Sequence, residues 1–157
     1  MQLWEQWTEN VFNTLLVQLD KKWGASKESY GYSGVQSIVQ HSLNDGGNTN
    51  PQKTYATKNN TALSFGATTG WKKKNTDLSF NYNRITAQGR YLMPREWGRD
   101  PFYTFLPRER NEGLGDVHAI VGKLGYKIPK ARIVAAIGFG HFQLPDVKNF
   151  ALNKYGM

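Results

Sequence analysis

The side chains best suited to chemistry concentrate in residues 86–115. This stretch contains Met93-Pro94-Arg95-Glu96-Trp97-Gly98-Arg99-Asp100-Pro101-Phe102 and then Pro107-Arg108-Glu109-Arg110-Asn111-Glu112-Gly113. Five of the seven arginines lie in it: Arg90, Arg95, Arg99, Arg108 and Arg110. The planar guanidinium fork matches a carboxylate at two points, so Arg95, Arg99, Arg108 and Arg110 are candidates for holding a solute carboxylate in a confined space. They alternate with Glu96, Asp100, Glu109 and Glu112, and pairing among these groups would instead pin the segment. Across several arginines the two roles are compatible. A connection this long is functional or disordered, and the content of Trp97, Phe102, Tyr103 and Phe105 argues for a segment that packs against something.

Other chemistry finds little support. His41, His118 and His141 lack metal-ligand spacing, and the absence of cysteine removes thiolate sites and disulfides. No nucleophile–base pair, phosphate loop or carboxylate pair stands out, so the sequence is read as a protein that is no enzyme and takes no cofactor or metal.

The arginine-bearing stretch must be positioned by strands. Period-2 alternation predicts six of them, near 11–22, 30–41, 61–72, 77–85, 116–126 and 132–141. The clearest sets Leu63, Phe65, Ala67, Thr69 and Trp71 on one face against Ser64, Gly66, Thr68 and Gly70. The next sets Leu78, Phe80 and Tyr82 against Ser79, Asn81 and Asn83, and the last sets Ile133, Ala135, Ile137 and Phe139 against Arg132, Gly138 and Gly140. Small and polar residues fill the second face, whereas a packed soluble core would want large apolar ones there. The predicted connections run about 7, 19, 4, 30 and 5 residues, short alternating with long, as in bacterial membrane barrels. Trp23, Trp71, Tyr126 and Tyr30 fall at the short-turn ends, where an aromatic girdle would sit. Residues 4–19 resist this scheme: Trp4, Trp7, Val11, Leu15 and Leu19 have helical spacing, and periodicity alone predicts a helix.

With 157 residues the chain could form one ordinary domain, but 39% hydrophobic and 13% aromatic residues beside many Asn, Thr and Ser suit alternating β structure better. No apolar run approaches the ~20 residues of a membrane helix, so a spanning structure would have to be a barrel. Residues 1–9 carry two glutamates and no basic residue, which is no secretory signal; the expectation is a cytoplasmic protein, a mature protein or an internal piece of a longer gene. The formal charge of +8 would fit nucleic acid, but lysines cluster in short stretches and arginines in one long one, which counts against a single binding track.

The run from Arg90 to Phe102, the run from Pro107 to Gly113 and Asn10-Val11-Phe12-Asn13-Thr14 together resemble the OprD-type specific porins of Gram-negative outer membranes. The similarity covers most of the chain, with residues 42–60 and the last fifteen carrying little of it. The resemblance implies an antiparallel barrel of about eighteen strands with inward-folded loops that narrow the pore and basic residues that guide carboxylate-bearing nutrients. It also turns 11–22 into a strand and implies that both ends of the chain are cuts.

The reading from sequence is therefore all-β: residues 1–157 are part of an antiparallel transmembrane β-barrel, about six strands of a larger one, with the long loop 86–115. Leu63, Phe65, Leu78, Phe80, Ile133, Ile137 and Phe139 would face lipid, and Ser64, Gly66, Ser79, Asn81, Asn83 and Arg132 the lumen. Placing Ile120, Leu124 and Tyr126 outward leaves Lys123 inward near Arg132, which adds these two cations to the loop arginines as solute-binding candidates. Expected partners are small polar solutes, outer-membrane lipid and the remaining strands of the barrel, with room for a homo-oligomer and none for nucleic acid. Two rivals stand beside it: a soluble α+β binding module with helix 4–19 on an antiparallel sheet, and a β protein binding single-stranded nucleic acid.

Overall fold

A computed structural model describes residues 1–24, 26, 28–93, 98–107 and 111–154. Among the described residues it is all-β: one antiparallel sheet whose strands pair in chain order, with a 3-10 turn at Pro51–Lys53. Alternation builds six strands close to where the pattern places them: β2 (Phe12–Trp23), β3 (Ser29–Ser42), β4 (Thr61–Lys73), β5 (Thr76–Ile85), β6 (Val117–Ile128) and β7 (Ile133–Gln143). The sheet has seven strands, because β1 (Gln2–Thr8) precedes them.

The helix predicted over 4–19 is thus a hairpin. Asn10 closes it with φ of 59°, a left-handed value that asparagine tolerates, while the Val11 amide donates to the Thr8 carbonyl at 3.1 Å. The helical stripe is divided between two faces, since Trp4 lies level with Leu16 and Trp7 with Asn13 on opposite sides of the ladder. Backbone pairing with β3 along the whole of β2 outweighs the local periodicity.

Links 24–28, 74–75 and 129–132 lie at one end of the sheet, and 9–11, 43–60 and 86–116 at the other. The alternation of short and long holds from β2 onward, and the tight 9–11 turn breaks it. Arg132 belongs to the last short turn, with φ of 54°, and does not begin a strand.

The two faces differ. The described parts of segment 86–116 fold back over one of them, here the covered face, and form the main apolar cluster there: Tyr91, Met93, Phe102 and Leu114 pack on Leu16, Ile38, Ala62, Ile85, Val117 and Ala119 of the strands. A smaller cluster joins Phe12, Ala56 and Leu92. The expectation that small polar residues on this face line open water needs correction, because Ser64, Ser79, Asn81 and Asn83 are buried. They bond in part to one another: Ser64 donates to Asn83 at 3.0 Å, and Asn81 donates to Ser79 and to the Val121 carbonyl at 3.1 Å, while the Asn83 amide nitrogen has no partner among the described residues.

On the open face Leu15, Leu19, Val35, Phe65, Leu78, Phe80, Ile120, Leu124, Ile137 and Phe139 are exposed. This apolar band runs obliquely. Its middle falls at Val17 on β2 and near Ile137 on β7, and the register carries Ile137 through Leu124, Leu78, Trp71 and Gly31 to Trp23, six residues beyond Val17. Six residues at ~3.3 Å against five strand spacings of ~4.8 Å incline the band by about 40° to the ladder rungs.

Candidate functional site

The covered face changes character along β2, β4, β5 and β6. On β5 it reads Ile85, Asn83, Asn81, Ser79, Asp77 from the long-loop end to the short-turn end; on β2 it reads Phe12, Thr14, Leu16, Gln18, Asp20, Lys22. Apolar residues give way to amides and then to charges. The segment packs where the face is apolar and leaves the charged part open.

Polar anchors from the strands fix its path. Gln40 on β3 accepts from the Leu92 amide and donates to the Leu92 carbonyl, both at 2.9 Å, so its side chain pairs with a backbone unit as a neighbouring strand would. Farther along, Gln36 donates to the Pro101 carbonyl at 2.9 Å, and Lys123 on β6 donates to the Tyr103 carbonyl at 2.7 Å. The Tyr103 hydroxyl donates to Asp20 on β2 at 2.6 Å. Gly34 makes room for that last bond, because a Cβ there would run into both the Asp20 carboxylate and the Tyr103 hydroxyl. Burial, and then the Asp20 bond, push the Tyr103 phenol above its usual range, so it remains a donor. Leu106 reaches β7 over Gly138 and Gly140, which completes a strap across the sheet from β2 to β7.

Replacing Gln40 by Ala strands the Leu92 amide and carbonyl in a buried place. The expected cost is about 1–3 kcal/mol for each unpaired group. Amide exchange of the folded protein checks it: protection at Leu92 should fall while that of β5 and β6 is kept.

Beyond the strap, toward the short turns, lies a cleft of about 400 Å3 lined by Tyr32, Lys72, Asp77, Lys123 and Lys127 among others. The Tyr32 hydroxyl donates to Asp77 at 2.7 Å, which occupies part of the one acidic group among these cations. The cleft can hold an anionic group through charge and hydrogen bonding. Among the described residues, no three metal-ligating side chains converge.

The sequence-based candidates fare unequally. Arg95, Arg108 and Arg110 lie outside the described residues. Arg99 is exposed on the strap with its guanidinium 5.7 Å from the centre of the Phe105 ring, a cation–π arrangement. Lys123 does point to the covered face. Arg132 is not near it: Lys123 pairs with Gly138 and Ile128 with Ile133, so five residues, about 16 Å of strand, separate Lys123 from the end of β6 before the turn that holds Arg132.

Lys72, Tyr32, Asp20 and Tyr103 were missed. Parity was available for Lys72, because odd positions from Leu63 to Trp71 face outward and an even one must face the other way. Nothing local marks Tyr103 as a partner of Asp20, 83 residues away.

On the open face, Trp23 and Trp71 meet edge to face at 5.7 Å between ring centres, lying across Gly31, and Tyr126 is exposed farther along the same margin. Tyr30 is not part of this row. It faces the covered side, under the Lys22 ammonium 5.2 Å from its ring. At the opposite margin the outward polar groups satisfy each other: Asn13 donates to Glu5, His41 shares a hydrogen with Thr61, Tyr82 with His118, and Arg84 pairs with Asp116.

Comparisons with protein-family models, curated proteins and solved structures give no match to this chain.

Proposed function

We propose that the chain is a segment of a Gram-negative outer-membrane porin of the OprD type, which admits small polar, carboxylate-bearing solutes. The observation that carries this reading is the oblique apolar band. Strands of a membrane barrel tilt by ~35–45° from the membrane normal, so a belt parallel to the membrane must cross the rungs at that angle. The band crosses at about 40°. A one-sided soluble sheet has no physical need for such an inclination, and the large apolar side chains on this one are uncovered.

The polar face then looks into the pore, with the strap across it and the lysine cleft beyond. Both sheet edges, β1 and β7, present backbone groups that only further strands would pair, so more of the barrel must complete the wall. The soluble alternative with an N-terminal helix loses its helix to the β1–β2 hairpin.

Bilayer electrophysiology tests the function. The completed barrel containing this chain should give discrete conductance steps and pass a carboxylate solute in preference to its neutral amide. Arg99→Gln keeps hydrogen bonding but removes charge, and should reduce that preference by about 1–3 kcal/mol. A folded, inserted barrel without conductance would overturn the channel reading; unchanged preference would leave Arg99 only a prop for Phe105.

A further inference from the structure

The lysines on the open face follow a rule that pore chemistry does not use. Outward-facing positions on β2 run Leu15, Val17, Leu19 and then Lys21, just before Trp23. On β4 they run Leu63, Phe65, Ala67, Thr69, Trp71 and then Lys73. On β6 they run Ile120, Gly122, Leu124, Tyr126 and Ile128, with Lys130 next in the turn. Each series passes from apolar to aromatic to cation, or interleaves the last two, and each does so at the short-turn margin. Lys21, Lys73 and Lys130 descend along the sheet in the same sense as the inclined apolar band, and each lies on its short-turn side.

These three ammonium groups are exposed, and none has a hydrogen bond or ion pair with a described residue. Lys22, one residue away on the other face, does have a partner in Tyr30. At the opposite margin Asn13 pairs with Glu5, His41 with Thr61, Tyr82 with His118 and Arg84 with Asp116. That rim holds most of its polar groups in pairs, whereas the short-turn rim offers unpaired positive charge beside an aromatic row.

We propose that Lys21, Lys73 and Lys130, together with Trp23, Trp71 and Tyr126, form a seat for the phosphates of an anionic phospholipid leaflet on the short-turn side. The inference rests on the membrane reading above. The rings occupy the boundary between hydrocarbon and headgroups, and the long lysine stems carry the ammonium groups outward to the phosphate level. Lysine is suited to this task, since a mobile monovalent phosphate array asks for point charges and not for a fixed two-point fork. The seat would fix the depth and orientation of the barrel wall, a role separate from selecting solutes.

The test uses the completed barrel containing this chain, diluted from urea into phosphatidylcholine vesicles with and without phosphatidylglycerol. A blue shift of tryptophan fluorescence reports insertion, and sedimentation with the vesicles reports partition. Insertion is expected in both, with partition roughly tenfold or more stronger where phosphatidylglycerol is present. That advantage should shrink with added salt and be lost in the triple variant K21Q/K73Q/K130Q, which still inserts into the neutral vesicles. Equal partition of the wild type, or an advantage kept by the triple variant, would overturn the seat while leaving the membrane reading intact. Failure to insert into either vesicle would overturn both. Tighter binding of a single-stranded oligonucleotide than of the anionic vesicles would assign the lysines to nucleic acid and overturn the proposal.

Discussion

Cysteine placed at Phe65, Phe80 or Ile137 should resist a water-soluble maleimide in lipid-reconstituted protein, reacting roughly tenfold or more slowly than cysteine at Lys72 or Lys127. All five positions are accessible in the isolated chain, so exposure there predicts equal labelling. The difference must come from what surrounds the sheet. Phe65, Phe80 and Ile137 belong to the inclined band, where hydrocarbon would exclude the reagent. Lys72 and Lys127 open into the cleft on the covered face, which stays wet in a pore. Ser64 and Asn81 would be poor controls, although their parity is right, because the strap buries them. Equal rates at Phe65 and Lys72 would remove the membrane from the account.

Strand positions were legible because alternation is a local signal. The span read as 61–72 is Thr61–Lys73, and 77–85 is Thr76–Ile85. The first strand was not legible, since Leu3, Glu5 and Trp7 share one face while Gln2, Trp4 and Gln6 share the other, and neither face is uniformly apolar. An edge strand with one neighbour needs little pattern to pair.

The covered face was half legible. Its parity follows from the pleat, and so does the inward direction of Lys123. Its burial does not, because that depends on a 31-residue link returning over the strands, through bonds such as Gln36 to Pro101 and Tyr103 to Asp20. What could have been read is the gradient along the face: Phe12, Leu16, Ile38, Ile85 and Val117 sit toward the long-loop end, and Asp20, Lys22, Asp77 and Lys127 toward the short turns. An apolar patch on the otherwise polar side of a strand tells where something must pack. The pairing of Lys123 with Arg132 failed for a related reason, since parity fixes the face but not the distance along it.

Tyr91→Ala should release the strap more effectively than loss of any one polar anchor. Tyr91 is 1% exposed, its ring lies 4.9 Å from that of Phe102, and its backbone pairs with Leu114 through bonds of 3.0 Å and, from Gly113, 2.6 Å. Removing the ring opens a cavity at the centre of the main apolar cluster, a change that costs about 3–5 kcal/mol for a large aromatic. The phenol adds nothing to this. Its hydroxyl is buried without a hydrogen-bond partner among the described residues, and burial, together with the nearby Asp100 and Glu112 carboxylates, pushes its pKa above the usual range. Tyr91→Phe should therefore be neutral or stabilise by up to about 1 kcal/mol, because it removes a desolvated hydroxyl and keeps the ring. Limited proteolysis of the reconstituted protein separates the two: cleavage within 86–116 should accelerate in Tyr91→Ala and stay at the wild-type rate in Tyr91→Phe. Conductance should follow, with the Ala variant widened and the Phe variant unchanged. If Tyr91→Ala is cut no faster than wild type, Gln36, Gln40 and Asp20 hold the strap without the cluster, and the apolar half of the covered face serves the wall instead of the constriction.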